Sequence, residues 1–251
     1  MLRPRIIPVL LLKNGGLYKS KLFKDYKYIG DPINAVKIFN DSKADELVFL
    51  DIDATKENRL ISLEFVKEVG EEANMPFAVG GGIKTLENIQ DIIAVGAEKV
   101  IINSYAAENP NFIREAANAF GSSTITVCID IKSKFLGKPQ TWINGGTKAT
   151  GLNPVEFAKK AEQLGAGEII VQCIERDGLM QGYDINTIKA IAEAVTIPIV
   201  ALGGAGTLRH LKEGYQLGYA NGLAGGSIFV YKGTRNGVLI TYPEKSEIKF
   251  I

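Results

Sequence analysis

The sequence has almost no histidine or cysteine, with one His and two Cys among 251 residues. These side chains are too few to form a cluster of metal ligands, so neither a metal site nor a cofactor is predicted. Cys128 and Cys173 lie in apolar runs typical of strands, so buried free thiols are expected, with a redox or metal role as the alternative. His210 stands at the start of a polar helical segment, where a surface position is expected rather than a catalytic one.

The chain also lacks a surplus of charge of either sign, because it has 29 basic and 28 acidic side chains. This balance argues against nucleic acid or a membrane surface as a partner, but it leaves room for one local anion site. The first apolar run, 6–12, is too short to span a membrane and carries no signal-peptide cleavage pattern. Sparse cysteine fits a reducing compartment, so a cytoplasmic protein is predicted.

Short apolar runs alternate with longer amphipathic segments along most of the chain. The predicted strands are 6–12, 46–51, 76–79, 99–103, 124–130, 168–173, 198–202 and 221–225. The predicted helices are 31–40, 62–73, 85–95, 110–120, 154–164, 184–194 and 207–217. Such alternation predicts parallel strands covered on both faces, and about eight units predict an α/β fold, a closed (β/α)8 TIM barrel forming one domain over 1–251.

An internal repeat divides the chain. The pairs Glu46 and Glu168, Pro76 and Pro198, and Gly81-Gly82 and Gly203-Gly204 are each 122 residues apart. Three landmarks at one spacing predict two similar half-barrels, 1–121 and 122–251, unlike the short repeats of a solenoid. The last stretch departs from the pattern: glycine, proline and β-favouring residues follow Phe229, so the eighth helix is expected to be short or replaced.

Glycine pairs follow the third and seventh predicted strands and precede helices, where close backbone approach and exposed N–H groups suit an anion. In such barrels the loops after strands seven and eight commonly hold phosphate. Two equivalent cradles would suit a ligand that carries phosphate at both ends, and tight turns without a ligand are the alternative. The predicted first cradle is Gly81, Gly82, Asn103 and Ser104, and the predicted second cradle is Asp177, Gly178, Gly203, Gly204, Gly226 and Ser227.

Charged residues also mark both ends of the predicted strands. Asp51 and Asp130 end two strands, and both are candidate acid/base groups, with N-capping or solvated loop charge as the alternative. Lys19 lies in the polar segment 13–30 and becomes a third catalytic candidate if this loop closes over an anion. Four charged residues lie instead at the starts of predicted strands, which form the opposite face of the barrel, its floor. The simplest interpretation is that they form a ring of paired charges that stabilises this floor. This floor ring consists of Arg5, Glu46, Lys99 and Glu168.

Residues 1–230 resemble the cyclase (synthase) subunit of imidazole glycerol phosphate synthase. The motifs that carry the resemblance are 45–52 (DELVFLDI), 79–83 (VGGGI), 176–178 (RDG) with 182–184 (GYD), and 203–206 (GGAG). The resemblance implies a twofold-symmetric barrel with two phosphate sites for a phosphorylated small molecule. It also implies a glutaminase subunit docked at the floor, whose ammonia enters through a gate that the floor ring matches.

One departure concerns catalysis. The family uses an aspartate at the end of strand one and another at the end of strand five. The second matches Asp130, but Leu11 stands at the first position and cannot transfer a proton. Gln172 and Leu202 replace small hydroxyl residues usual in the family.

A divergent branch shares the sequence PVLLLKNG at 8–15 and GDPINA at 30–35. The resemblance to this branch implies ammonia supply, beside a glutaminase and a sugar amidotransferase, for acetamidino-sugar formation in surface-polysaccharide or flagellin-glycan synthesis. The alternatives are a genuine cyclase of histidine synthesis, in which Asp51 or Lys19 replaces the missing acid, and a non-catalytic activator of the glutaminase.

Overall fold

A computed structural model describes residues 3–133, 137–233 and 235–249, so the ends of the predicted domain lie outside the described residues. Eight parallel strands form a closed barrel, because β1 pairs with β4 on one side and with β12 on the other. Numbered along the chain, the barrel strands are β1 Arg5–Lys13, β4 Leu47–Asp51, β5 Phe77–Gly80, β6 Lys99–Ile102, β7 Ile125–Ser133, β10 Glu168–Cys173, β11 Ile199–Leu202 and β12 Gly222–Gly225. The predicted (β/α)8 TIM barrel is confirmed.

Helices cover the outside of the barrel: α1 Pro32–Asp41, α2 Leu63–Glu72, α3 Leu86–Ala94, α4 Ser104–Glu108, α5 Asn111–Phe120, α6 Pro154–Gln163, α7 Ile185–Ala192, α8 Leu208–Gln216 and α9 Ser227–Val230. Short 3-10 helices span Ser122–Thr124 and Ile174–Arg176. Several helices begin where the sequence supplies a capping side chain. Asp31 accepts from the Asn34 N–H at 2.8 Å, and Thr85 forms a reciprocal capping box with Asn88. No helix among the described residues is long and apolar enough to cross a bilayer.

The core has two layers. The larger one lies between the strands and the helices and includes the fully buried Phe39, Phe49 and Phe229. The smaller one is the apolar part of the barrel interior: Ile7, Val9, Val48, Ala78, Ile101, Cys128, Ile170, Val200, Leu202 and Ala224. Both cysteines are buried free thiols, as predicted. The barrel is therefore a packed core, and the ends of its strands are the places where polar groups can gather.

Two hairpins rise from the carboxyl face of the barrel. The first, β2 Gly16–Lys21 and β3 Lys24–Gly30, forms where a polar loop was predicted, so that interpretation of 13–30 was wrong. It is ordered because β2 extends the end of β1, with Leu12 opposite Leu17, and because Leu17 and Ile29 are buried. The second consists of β8 Pro139–Ile143 and β9 Lys148–Ala149, and β8 pairs with β7.

The C-terminal stretch is extended, as predicted. After the four-residue α9, the short strands β13 Tyr231–Lys232 and β14 Gly237–Val238 pair, and the chain then runs back along α9. Tyr242 stacks on Phe229 with ring centroids 5.8 Å apart, and its hydroxyl donates to the Ile6 carbonyl. This segment covers strand β1 in place of a full eighth helix.

Candidate active site

The carboxyl ends of the barrel strands surround a cavity of about 340 Å³, a size that fits a small-molecule ligand. Every residue predicted to be catalytic or phosphate-binding lines this cavity, although their roles stay predictions. These residues are Lys19, Asp51, Gly81, Gly82, Asn103, Ser104, Asp130, Asp177, Gly178, Gly203, Gly204, Gly226 and Ser227. Residues about 120 apart in sequence therefore meet at one site because parallel strands bring their carboxyl ends together.

Asp130 is the acid/base candidate with the best environment. Its side chain is only 6% exposed, and burial raises its pKa to about 7, against the smaller opposing effect of hydrogen bonds with Asn103 and Cys128. The negative charge of Asp177 raises this pKa slightly further. A carboxyl group that titrates near neutrality can both donate and accept a proton, which is what general acid/base catalysis requires.

Asp51 lies in a different environment. Its carboxylate is held by the Arg59 guanidinium through two hydrogen bonds and also accepts from the backbone N–H groups of Asp53 and Ala54. These contacts order the turn that follows β4. Since the carboxylate is occupied by four donors, its geometry supports a structural role better than proton transfer.

The first cradle is built at the ends of β5 and β6. Gly81 and Gly82 have φ values of 142° and 71°, and a Cβ atom on Gly82 would lie 1.8 Å from the Arg59 carbonyl oxygen. Only glycine therefore fits this turn. The Ser104 hydroxyl accepts from the Asn144 N–H at 2.9 Å, so the turn of the β8–β9 hairpin lies against this cradle.

The second cradle is built in the same way at the ends of β11 and β12. Gly203 and Gly204 have φ values of 93° and 107°, and a Cβ atom on Gly204 would lie 2.2 Å from the Gly182 carbonyl oxygen. Gly178 also has positive φ and packs against the backbone of Ser20 in the first hairpin. The two cradles thus occupy equivalent positions on opposite sides of the cavity mouth.

Lys19 belongs to the second cradle and not to the surroundings of Asp130. Its side chain is 6% exposed, and its ammonium group lies against Gly226, 2.8 Å from where a Cβ atom on that glycine would stand. Its Nζ also lies 3.7 Å from a carboxylate oxygen of Asp177. The first hairpin therefore holds Lys19 over the predicted anion site. This position suits a side chain that binds phosphate better than one that transfers a proton.

Asp177 is an anchor for the first hairpin. Its carboxylate accepts from the Ser20 hydroxyl at 2.5 Å, and its carbonyl accepts from the Leu22 N–H. The backbone N–H of Asp177 donates to the Ile174 carbonyl. The carboxylate would repel phosphate, and the N–H group is already used, so this geometry does not support the predicted phosphate contact at Asp177.

The floor ring is assembled at the opposite end of the barrel. Arg5 contacts both Glu46 and Glu168, and Lys99 Nζ lies 3.3 Å and 3.2 Å from the same two carboxylates. Burial alone would lower the pKa of Arg5, but the two glutamates outweigh it and the pKa is raised. The four charges therefore alternate in sign around the barrel axis and satisfy one another.

The cavity lining also includes residues outside the predicted cradles and the acid/base candidates. Leu11 lines it beside Leu50, so the position opposite Asp130 is apolar. Lys56, Lys84 and Asn144 line it near the first cradle. The only signal for them was their place just after predicted strands or in the β8–β9 turn, which is weak for exposed lysines. His210 belongs to α8, where its Nδ1 accepts from the Gly206 N–H at 3.2 Å, a local structural role.

A closed barrel with a polar cavity at its carboxyl face places the molecule in the class of (β/α)8 barrels, whose active sites form at the strand ends. The chain belongs to the family described as histidine biosynthesis protein, whose model matches residues 5–235. The family predicted from the sequence motifs is thereby confirmed.

Individual relatives agree over nearly the full length. A protein of Leptospira borgpetersenii, provisionally named imidazole glycerol phosphate synthase subunit HisF, is 47% identical over 248 residues, 98% of each chain. A protein of Leptospira interrogans with the same provisional name is 44% identical, again over 98% of each chain. Imidazole glycerol phosphate synthase subunit HisF of Oceanobacillus iheyensis is 44% identical over 99% of this chain and 97% of its own length.

Proposed function

We propose that this chain is the ammonia-accepting synthase subunit of a glutamine amidotransferase, with a glutaminase docked on the barrel floor. The observation that carries the proposal is the floor ring, which closes one end of the barrel axis while the cavity with Asp130 opens at the other. A ring of mutually neutralised charges can open by rotation of side chains and admit a small neutral molecule. The two cradles then hold a phosphorylated ligand, and Asp130 moves the proton.

For the acceptor, we propose an N-acetyl sugar whose amide becomes an acetamidino group, in a pathway of surface-polysaccharide or flagellin-glycan synthesis. A sugar amidotransferase would complete the system. The support is Leu11, because it stands opposite Asp130 at the position where the resemblance implies the second acid of the acid/base pair that imidazole ring closure uses in the family. This chain would then supply ammonia for chemistry of a different kind.

A second candidate is the cyclase reaction of histidine synthesis itself. The Oceanobacillus relative, which bears the name imidazole glycerol phosphate synthase subunit HisF, is as similar to this chain as the provisionally named Leptospira interrogans protein. In that case the reaction proceeds with Asp130 as its main acid/base group.

The deciding assay combines the purified chain, ammonium and the bis-phosphorylated aminoimidazole ribonucleotide precursor. We expect the precursor to bind without cyclisation, and Leu11→Asp to gain turnover because it restores an acid at the end of β1. Turnover of the unaltered chain at the rate of the ordinary family would replace the proposal with the cyclase.

For sugar amidation, amide-¹⁵N-glutamine with the copurified glutaminase and sugar amidotransferase should label the product sugar. Labelling that survives Asp130→Asn but not Lys99→Ala would indicate a non-catalytic activator.

A further inference from the structure

The extended segment after α9 brings one aromatic side chain to the floor of the barrel. The ring of Tyr242 stacks on Phe229, with centroids 5.8 Å apart, and packs edge-to-face against Phe39, with centroids 6.4 Å apart. Both phenylalanines are fully buried, so the tyrosine ring is held on two sides. Because packing fixes the ring, it also fixes the direction in which the phenolic hydroxyl points.

This hydroxyl is inserted between two neighbouring strands. Parallel pairing of β1 with β4 begins with Val9 opposite Val48. The same register places Ile6 opposite Asp45, and there the Tyr242 hydroxyl bridges the two backbones. It accepts from the Asp45 N–H at 3.1 Å and donates to the Ile6 carbonyl at 3.1 Å. The Asp45 side chain completes the connection, because its Oδ2 accepts from the Ile6 N–H at 2.9 Å.

The bridge requires a group that donates and accepts at the same time, which a hydroxyl does. Burial raises the pKa of Tyr242, and the nearby negative charge of Asp45 raises it further, so the phenol keeps the proton that it donates. A phenylalanine here would keep the aromatic packing. It would leave the Asp45 N–H and the Ile6 carbonyl without this partner, so the two strands would be held less firmly at this level.

The residues next to the bridge belong to the floor ring. Arg5 precedes Ile6, Glu46 follows Asp45, and the Arg5 guanidinium contacts the Glu46 carboxylate. The spacing of the two backbones therefore sets the spacing of these two charges. Lys99 Nζ lies 3.3 Å from the other carboxylate oxygen of Glu46, so a displacement of Glu46 would reach the rest of the ring.

We propose that Tyr242 is a positioning residue of the floor ring, because its hydroxyl holds β1 and β4 at the spacing that the Arg5–Glu46 pair requires. The C-terminal segment then does more than cover β1 in place of a helix, since it also orders the charged end of the barrel. The effect on the ion pair is a property of the isolated chain. Any consequence for the use of ammonia rests on the proposed function.

The first test follows the Arg5 guanidinium of the isolated, ¹⁵N-labelled chain by NMR. Tyr242→Phe keeps the aromatic packing and removes both hydrogen bonds of the bridge, so hydrogen exchange of the Arg5 guanidinium N–H groups should accelerate roughly tenfold. Tyr183→Phe is the matched control. Its buried hydroxyl donates to the Ala224 carbonyl of β12 at 2.7 Å, and its loss should leave the exchange of Arg5 unchanged. Equal acceleration in the two variants would assign the effect to lost stability, and unchanged exchange in Tyr242→Phe would show that the bridge does not hold the pair. Either result overturns the inference.

The second test uses the complex with the glutaminase. In Tyr242→Phe, kcat for glutamine-dependent product formation should fall roughly three- to tenfold, while the KM for the acceptor and the rate with added ammonium should stay unchanged. Equal losses with both nitrogen sources would contradict a role through the floor ring. A failure of the proposed function would appear as no product from the unaltered complex. It is read separately, because the NMR experiment needs neither the glutaminase nor the acceptor.

Discussion

The two ends of this barrel bury carboxyl groups in opposite ways. At the floor, Glu46 and Glu168 each contact both Arg5 and Lys99, and the charges neutralise one another. At the top, none of the described lysines or arginines is paired with Asp130, and burial raises its pKa to about 7. A buried acid can thus be neutralised by a partner or by a proton. The first arrangement keeps the carboxylates charged, and the second makes a group that can exchange protons.

The largest effect is expected from removing the proton-exchanging group. Asp130→Asn keeps the shape and the hydrogen-bonding capacity of the side chain but cannot transfer a proton, so ammonia-dependent product formation should fall roughly 10²- to 10⁴-fold. Steady-state rates with saturating ammonium measure this, and binding of the phosphorylated ligand serves as the control for an intact cavity. Full turnover in the variant would show that the buried carboxyl does no chemistry.

The same carboxyl should give the stability of the protein a pH dependence. The pKa of Asp130 is raised from 3.8 to about 7, so between these values the folded protein keeps a proton that the unfolded chain releases. Stability from this group is complete below pH 3.8 and is lost as pH rises toward 7, by up to about 4 kcal/mol. Asp130→Asn should lack this loss, so its stability relative to the unaltered chain should increase with pH. Urea unfolding at several pH values tests this, and parallel curves for the two proteins would contradict it.

The cradle turns should tolerate no side chain. Gly82→Ala places a Cβ atom 1.8 Å from a backbone oxygen, at a φ of 71°. The matched control is Gly15→Ala, where φ is 74° and no atom lies within 4 Å of the new Cβ. We expect Gly15→Ala to cost about 1 kcal/mol from backbone strain alone, and Gly82→Ala to cost roughly 3 kcal/mol and to weaken phosphate binding. Equal losses in urea unfolding would mean that the cradle backbone shifts easily.

These sites also show what the sequence could predict. The barrel, its strand ends and both glycine pairs follow from apolar runs, helical periodicity and the repeat of 122 residues, which are local or periodic signals. Three features have no such signal. The hairpin of β2 and β3 is mostly polar and depends on pairing with the end of β1, and the contact of Lys19 with Asp177 joins residues 158 positions apart. The bidentate Arg59–Asp51 pair likewise depends on the turn that follows β4. The sequence predicted which residues would gather at the cavity, but it did not predict which of them would form hydrogen bonds and ion pairs with one another.

A smaller effect is expected at the floor. Lys99→Met leaves Glu46 and Glu168 with only Arg5 as a cation, and because Lys99 is 22% exposed, water compensates part of the loss. We expect about 2 kcal/mol of destabilisation, below the value for a fully buried pair. Lys159→Met is the control, since its pair with Glu156 is exposed and should contribute at most about 0.5 kcal/mol.

The functional effect of Lys99→Met should differ from that of Asp130→Asn. In the complex with the glutaminase, glutamine-dependent product formation should fall, while formation from added ammonium should stay close to that of the unaltered complex. Equal losses with both nitrogen sources would mean that the floor ring only supports the fold, and the contrast between the two ends of the barrel would then not extend to function.

The smallest expected effect concerns the lysine of the upper face. Lys19 is as buried as Asp130, yet its pair with Asp177 is long, at 3.7 Å, so its charge remains available to an anion at Gly226. Lys19→Met should therefore weaken binding of inorganic phosphate roughly tenfold, the loss of one charge-assisted hydrogen bond, with little change in stability. Calorimetric titration measures this, and Lys21→Met, an exposed lysine on the same strand, should bind phosphate normally. If Lys19→Met instead costs as much stability as Lys99→Met while phosphate binding is unchanged, then the upper lysine, like the floor ring, serves mainly to neutralise a buried acid.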